Sequence, residues 1–204
     1  EPNKIKIKEI EKVSDAHQLT SKMLKFLEWV SSYNAIQRGL VLKMILSHSK
    51  TYFDEKKIDI PSENIATQEK IIELNIEQKR ASEKILKISS RRDYNTILLD
   101  GVPGSGKTEV YFSVLKNYLT EKEQVLIMFP EVSLTSDFVK RIEERFGFTP
   151  DVWHSKISAS MKTKTLKNII NGTSKIIVGA RSALFLPYKK LGMIILDEEH
   201  DTSY

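Results

Sequence analysis

Ile97-Leu98-Leu99-Asp100-Gly101-Val102-Pro103-Gly104-Ser105-Gly106-Lys107-Thr108 runs an apolar segment into a glycine-rich loop, and this stretch decides the fold. The apolar run 97–100 predicts a strand. A helix is expected from about Thr108, because Val110, Val114 and Tyr118, with Tyr111 and Leu115, recur at helical spacing. Between them, the spacing Gly-x-x-x-x-Gly-Lys-Ser/Thr lets successive backbone N–H groups converge on a phosphate. Lys107 then reaches the β and γ oxygens of a nucleoside triphosphate, and the Thr108 hydroxyl takes a magnesium position. Gly101, Gly104 and Gly106 are needed there, since a Cβ collides with the phosphates or forbids positive φ. The following helix points its positive end at the same anion. The whole run Gly101, Val102, Pro103, Gly104, Ser105, Gly106, Lys107 and Thr108 is therefore assigned to the nucleotide.

A second apolar run, Met193-Ile194-Ile195-Leu196, leads into Asp197-Glu198-Glu199-His200. Adjacent carboxylates are ordinarily just solvated. At the end of a buried strand, however, they stand at the carboxyl edge of the sheet, where open α/β sheets bind their ligands. Asp197 is expected to hold Mg²⁺, mostly through water, and Glu198 to polarise the attacking water. Kinases that share the phosphate loop have less need of that glutamate, so the second carboxylate favours hydrolysis over transfer. A lone histidine is more often structural. Here His200 completes a four-residue Asp-Glu-Glu-His box, which resembles that of nucleic-acid-dependent helicases of superfamily 2. The expected catalytic set is Lys107, Asp197, Glu198 and His200, with Thr108 and Asp197 on the metal.

The chain has 204 residues, 40% of them hydrophobic, which is adequate for one or two packed domains. No methionine stands at position 1, and the chain reads as a segment of a longer protein. No apolar stretch approaches the ~20 residues of a membrane span and no signal peptide is visible, so a cytoplasmic, nucleoid-associated protein without membrane partners is expected. With no cysteine, neither a disulfide framework nor a thiolate zinc site can form in this segment. The net charge of +5 invites a nucleic-acid reading but does not carry it. Basic residues outnumber acidic ones by 11 to 9 over residues 1–66 and by 21 to 18 over 67–204, so neither part concentrates the excess. Lysine dominates arginine, 25 to 7, and isoleucine and asparagine abound, as base composition of a genome would produce.

Outward from the loop the pattern alternates. Helices are expected over 76–89, with Ala81, Ile85 and Ile88 on one face; around Leu134, Phe138 and Ile142; and over 158–170, stopped by Gly172 as a C′ glycine. Strands are expected at 125–129, 152–154, 175–178 and 193–196. Uniformly apolar strands alternating with helices give an α/β fold, a parallel sheet covered on both faces. The expectation is a RecA-like phosphate-loop NTPase lobe over 67–204, truncated after the acidic box. Residues 1–66 are expected to form a small, mainly helical, winged-helix-like segment. It has a strand signal at 4–7, one helix carrying Leu19, Met23, Phe26, Leu27 and Val30, and a second with Leu40, Lys43, Met44 and Ser47. Its aromatic and methionine side chains are expected in the core. Residues 50–66 lose periodicity and read as a linker.

Gln78 has two readings. Asn75-Ile76-Glu77-Gln78 is a capping box pattern, with Gln78 at N3. A glutamine upstream of the phosphate loop is also where superfamily 2 proteins recognise adenine, and both roles can hold together.

Taken together, the chain resembles the bacterial primosomal replication-restart helicases, the PriA family. The resemblance rests on 74–78, on Leu99 to Tyr111, on Pro130-Glu131-Val132-Ser133-Leu134-Thr135 and on His154-Ser155. It continues through Val178-Gly179-Ala180-Arg181-Ser182-Ala183-Leu184-Phe185-Leu186-Pro187 and Asp197-Glu198-Glu199-His200-Asp201-Thr202-Ser203-Tyr204. Residues 20–46, with Trp29-Val30-Ser31-Ser32-Tyr33, match more weakly. The family has threonine where Pro103 and Ala180 stand, and glycine where Lys156 stands. Ala180 therefore lacks a hydroxyl that the family can offer to DNA.

The resemblance implies an ATP- and Mg²⁺-dependent helicase that unwinds forked DNA 3′ to 5′ and helps reload the replicative helicase, with primosome proteins and the helicase loader as partners. It implies DNA contacts at Thr135, Arg181 and Ser182. Zinc is expected in the full-length family protein, on cysteines beyond this segment, as are the second motor lobe and its arginine finger. Two further readings remain: another superfamily 2 nucleic-acid translocase, or a fragment that binds nucleotide or DNA without turnover.

Overall fold

Thr20 starts the first helix by accepting the Met23 N–H on its side-chain oxygen at 3.2 Å. The computed structural model describes residues 19–46, 72–91, 93–130 and 136–201, and the chain divides into two units, Glu1–Asp59 and Ile60–Tyr204. The first unit holds α1 (Ser21–Tyr33) and α2 (Arg38–Ile45). Ala35, with φ of 51°, turns the chain between them, and the Ser31 hydroxyl donates to the Ile36 carbonyl at 2.6 Å. Leu27 and Val30 of α1 and Val41 and Ile45 of α2 are buried.

Two expectations for this unit fail. The inward row of α2 is Val41 and Ile45, while Leu40 and Met44 are exposed. Residues 40, 41, 42, 44 and 45 are all apolar, so the periodicity fits two helical rows equally. Trp29 and Tyr33 are also exposed rather than core, stacked on each other at 5.1 Å between ring centroids. The strand signal at 4–7, Ser47, the linker and the boundary at 66 lie outside the described residues.

The second unit begins with α3 (Ile76–Ser89), followed by α4 (Lys107–Thr120), β1 (Gln124–Met128), α5 (Ser136–Phe146) and β2 (Asp151–Trp153). α6 (Ala159–Asn171), β3 (Ile176–Gly179), a 3₁₀ helix (Arg181–Phe185) and β4 (Leu191–Leu196) complete it. The four strands form one parallel sheet in the order β2-β3-β1-β4. In register, Val125 faces Ile176 and Met193, while Met128 faces Gly179 and Leu196. Successive side chains point to opposite faces. Val125 and Ile127 of β1 join Ile176 and Val178 of β3 and Ile195 of β4 in one buried cluster with Tyr111, Phe112 and Leu115 of α4 and Ile142 and Phe146 of α5. α3 packs on the same helix α4, where Ile85 meets Val110 and Val114 and the Ser82 and Ser113 hydroxyls pair at 2.7 Å.

The sheet departs from expectation at one edge. Residues 97–100 form no strand; Leu98 is 76% exposed, and only Leu99 packs, against the Val110 and Val114 cluster. An extended segment becomes a strand only by pairing, and no described strand bonds to this one. β4 likewise is not buried on both faces: Ile195 points into the core, but Ile194 and Leu196 are 41% and 50% exposed. The loop expected after β3 contains the 3₁₀ helix, which Gly179 seats closely, since a Cβ there would stand 2.7 Å from Ala183 Cβ.

Candidate active site

The phosphate loop closes onto α4 through a left-handed backbone that explains two of its three glycines. Gly104 and Gly106 have φ of 79° and 81°, a region costing any L residue roughly 1–2 kcal/mol. Gly106 is the N-cap of α4, and a Cβ there would run into the Gln78 side-chain nitrogen. Inside the loop, Ser105 N–H donates to the Val102 carbonyl at 3.1 Å. Lys107 bends back over it, its Nζ donating to the Gly101 carbonyl at 2.6 Å. The amides of the first turn of a helix have no intrahelical acceptors, and the helix dipole adds positive charge at that end, which suits a phosphate.

Gln78 is held at both ends of its amide. Its Oε1 accepts the Asn75 N–H at 3.0 Å while Asn75 Oδ1 accepts the Gln78 N–H at 2.9 Å, completing the predicted capping box. Its Nε2 donates to the Ser105 carbonyl at 2.9 Å. The glutamine thus ties the start of α3 to the phosphate loop.

Parallel strands bring all their carboxyl ends to one edge. Phe129 N–H donates to the Gly179 carbonyl, Ala180 N–H to that of Trp153, and Asp197 N–H to that of Met128, each at 3.0 Å. Asp197, Glu198, Glu199 and His200 therefore leave β4 beside the ends of β1 and β3, in a turn closed by the Asp201 N–H on the Glu198 carbonyl at 2.9 Å. Glu198 has φ of 53°, a strained conformation for a residue with a Cβ. Glu198, Glu199 and His200 are exposed and Asp197 is half-buried. Arg181 and Ser182 open the 3₁₀ helix at this same edge and are exposed. Thr135 and residues 202–204 lie outside the described residues.

Tyr111 joins the two halves. Its hydroxyl donates to Asp197 Oδ2 at 2.7 Å, so α4 and the acidic turn meet in one hydrogen bond. Burial first, then the neighbouring Asp197 charge, push the Tyr111 hydroxyl well above the ordinary tyrosine range and keep it protonated. The apolar periodicity of α4 hid this role, because the ring is core and only its tip is polar. The sequence also gave no hint that Arg141 of α5 binds Glu109 Oε1 at 2.6 Å. That pair fixes the first turn of α4 from the other side, with the guanidinium over the Phe112 ring at 5.8 Å.

These residues suit a magnesium nucleotide. The loop offers backbone donors and one lysine, and Tyr111 brings a carboxylate to a helix that begins with Lys107 and Thr108. Among the described residues no three His, Asp or Glu side chains gather to hold a metal by themselves. A hydroxyl and one carboxylate, with phosphate oxygens and water, are the set that Mg²⁺ uses. No described helix is long and apolar enough to cross a membrane.

Comparison with known proteins agrees with this geometry. Residues 75–204 match the DEAD/DEAH box helicase family, and residues 1–47 match the 3′ DNA-binding domain (3′BD). The replication restart protein PriA of Rickettsia felis is 39% identical over 204 residues, covering 100% of this chain and 30% of that protein. That of Bacillus subtilis is 34% identical over 206 residues, 100% of this chain and 23% of its own length. The Synechocystis protein of the same name is 42% identical over 132 residues, 65% of this chain and 16% of its own. The chain thus spans less than a third of the relatives it matches. A helicase domain of this kind implies ATP and Mg²⁺, which the loop and the acidic turn suit. From its phosphate loop to its acidic box, the chain belongs to the DEAD/DEAH box helicases, in the PriA replication-restart family.

Proposed function

We propose that the chain is the ATP-binding part of a helicase that unwinds forked or single-strand-tailed DNA 3′ to 5′ in replication restart. Residues 67–204 are its first motor lobe, and residues 1–66 are a DNA-side unit, a reading supported by the 3′BD match over 1–47. The observation that carries this reading is the Tyr111–Asp197 hydrogen bond, which brings the acidic turn to the helix of the phosphate loop. Lys107 leaves the Gly101 carbonyl for the β and γ oxygens, a short swing for a flexible side chain. Thr108 and Asp197 hold magnesium, and Glu198 orients water toward the γ-phosphorus. Bound magnesium neutralises charge that develops on the phosphate oxygens. Gln78 reads adenine from its place against the loop, and His200 relays the state of the turn. Thr135, Arg181 and Ser182 contact DNA along the carboxyl edge. Primosome proteins and the replicative helicase loader are partners of the whole protein, which also carries zinc on cysteines this chain lacks.

Unwinding assays test the proposal. The full-length protein should open a fork only by moving 3′ to 5′, and only with ATP and Mg²⁺. The 204-residue chain alone should open none, since an arginine finger from a second lobe is worth roughly 10³–10⁵ in rate. Unwinding in the opposite direction, or robust unwinding by this chain alone, overturns the assignment.

A further inference from the structure

Tyr111 follows Lys107 by four residues and Thr108 by three, so all three share one side of α4. Its ring is 6% exposed, edge-on to Phe112 at 5.2 Å between centroids. A ring packed this way has no freedom to swing, and its hydroxyl is a fixed donor. That donor meets Asp197 Oδ2 at 2.7 Å, while Asp197 Oδ1 accepts the Glu198 N–H at 3.0 Å. Each carboxylate oxygen therefore has a donor of its own, one from the phosphate-loop helix and one from the backbone of the acidic turn. A buried tyrosine needs some acceptor, and a backbone carbonyl suffices where the purpose is packing, as at Tyr188, which donates to the Ala183 carbonyl at 2.8 Å. Tyr111 instead spends its donor on a carboxylate 86 residues away.

We propose that Tyr111 is a positioning residue for magnesium: it fixes the rotation of the Asp197 carboxylate and holds that carboxylate in register with Thr108. The inference rests on the nucleotide-binding reading above and adds a residue to it. Hydrogen bonds that orient a metal-binding carboxylate typically carry 10–100-fold in metal affinity. A single donor to a half-buried carboxylate belongs at the lower end, about tenfold.

The test is a Mg²⁺ titration of the binding of a fluorescent ATP analogue to the 204-residue chain, with no turnover required. In Tyr111→Phe the Mg²⁺ concentration for half-maximal binding should rise about tenfold, while affinity in EDTA stays at the wild-type value. Tyr118→Phe, on the same helix, should move neither quantity. In an Asp197→Asn background, Tyr111→Phe should add less than it does alone, because the charged acceptor is gone. If Tyr111→Phe fails to fold, Tyr111→Met removes the donor within the core and must give the same rise. An unchanged Mg²⁺ requirement overturns the proposal, as does an equal loss in EDTA, which would make Tyr111 a support of the loop alone. A wild-type chain that binds the analogue indifferently to Mg²⁺ overturns the nucleotide reading and this proposal with it.

Discussion

In the mechanism proposed here Lys107 serves binding and Glu198 serves chemistry, and single substitutions separate the two. Lys107→Ala removes a charged donor from the β and γ oxygens; such bonds are worth roughly 1.5–3 kcal/mol, so ATP should bind at least about tenfold more weakly. Calorimetry giving equal affinities for both proteins would remove Lys107 from the site. Glu198→Gln keeps the shape and loses the base, so the full-length protein should bind ATP normally and lose steady-state hydrolysis. Survival of ATPase within a factor of a few would move the water-orienting role to another residue. At this scale the sequence was legible where residue type and spacing both carry chemistry, as in the phosphate loop and the acidic box. It was silent on Tyr111, because an aromatic residue at helical spacing reads as core and its hydroxyl finds Asp197 only through the fold.

The helices α3 and α4 show how one element can serve both stability and the site. Asn75 and Gln78 share the capping box, but only Gln78 also holds the Ser105 carbonyl. Asn75→Ala should cost roughly 0.5–2 kcal/mol of stability and leave ATP affinity alone. Gln78→Ala should lower the melting temperature and weaken ATP binding as well, because the loop loses its tie to α3. Thermal melts paired with calorimetry separate these outcomes, and a Gln78→Ala protein with wild-type ATP affinity would sever the loop from the cap. Most elements were visible as periodicity: α3, α4, α6 and all four strands fall within two residues of their expected bounds. The misses have physical causes. α2 presents two apolar rows, and residues 97–100 have strand composition without a pairing partner among the described residues, which composition cannot reveal.

For the whole chain, burial of tyrosine predicts how folding responds to base. Tyr111 and Tyr188 ordinarily ionise near 10.0, and burial raises both in the folded chain. A raised value means that the folded form keeps its proton longer, so their contribution is intact below about pH 10 and is lost as the pH climbs beyond it. Absorbance at 295 nm should therefore show two tyrosines ionising only with loss of helical circular dichroism. Smooth titration of all seven with the fold intact contradicts their burial. The exposed Ile194 and Leu196 on edge strand β4 predict concentration-dependent self-association. Ile194→Lys should reduce it in sedimentation velocity, and an unchanged profile would place the sticky surface elsewhere.

The left-handed backbone of Glu198 sets the role proposed for that residue against endurance. Any residue with a Cβ is strained there by roughly 1–2 kcal/mol, whereas glycine is not. Glu198→Gly should thus melt above Glu198→Ala, and a lineage released from the need to hydrolyse ATP would drift toward glycine at this position. A relative carrying glycine there, with its phosphate loop intact, would be a retired motor that kept its grip on nucleotide.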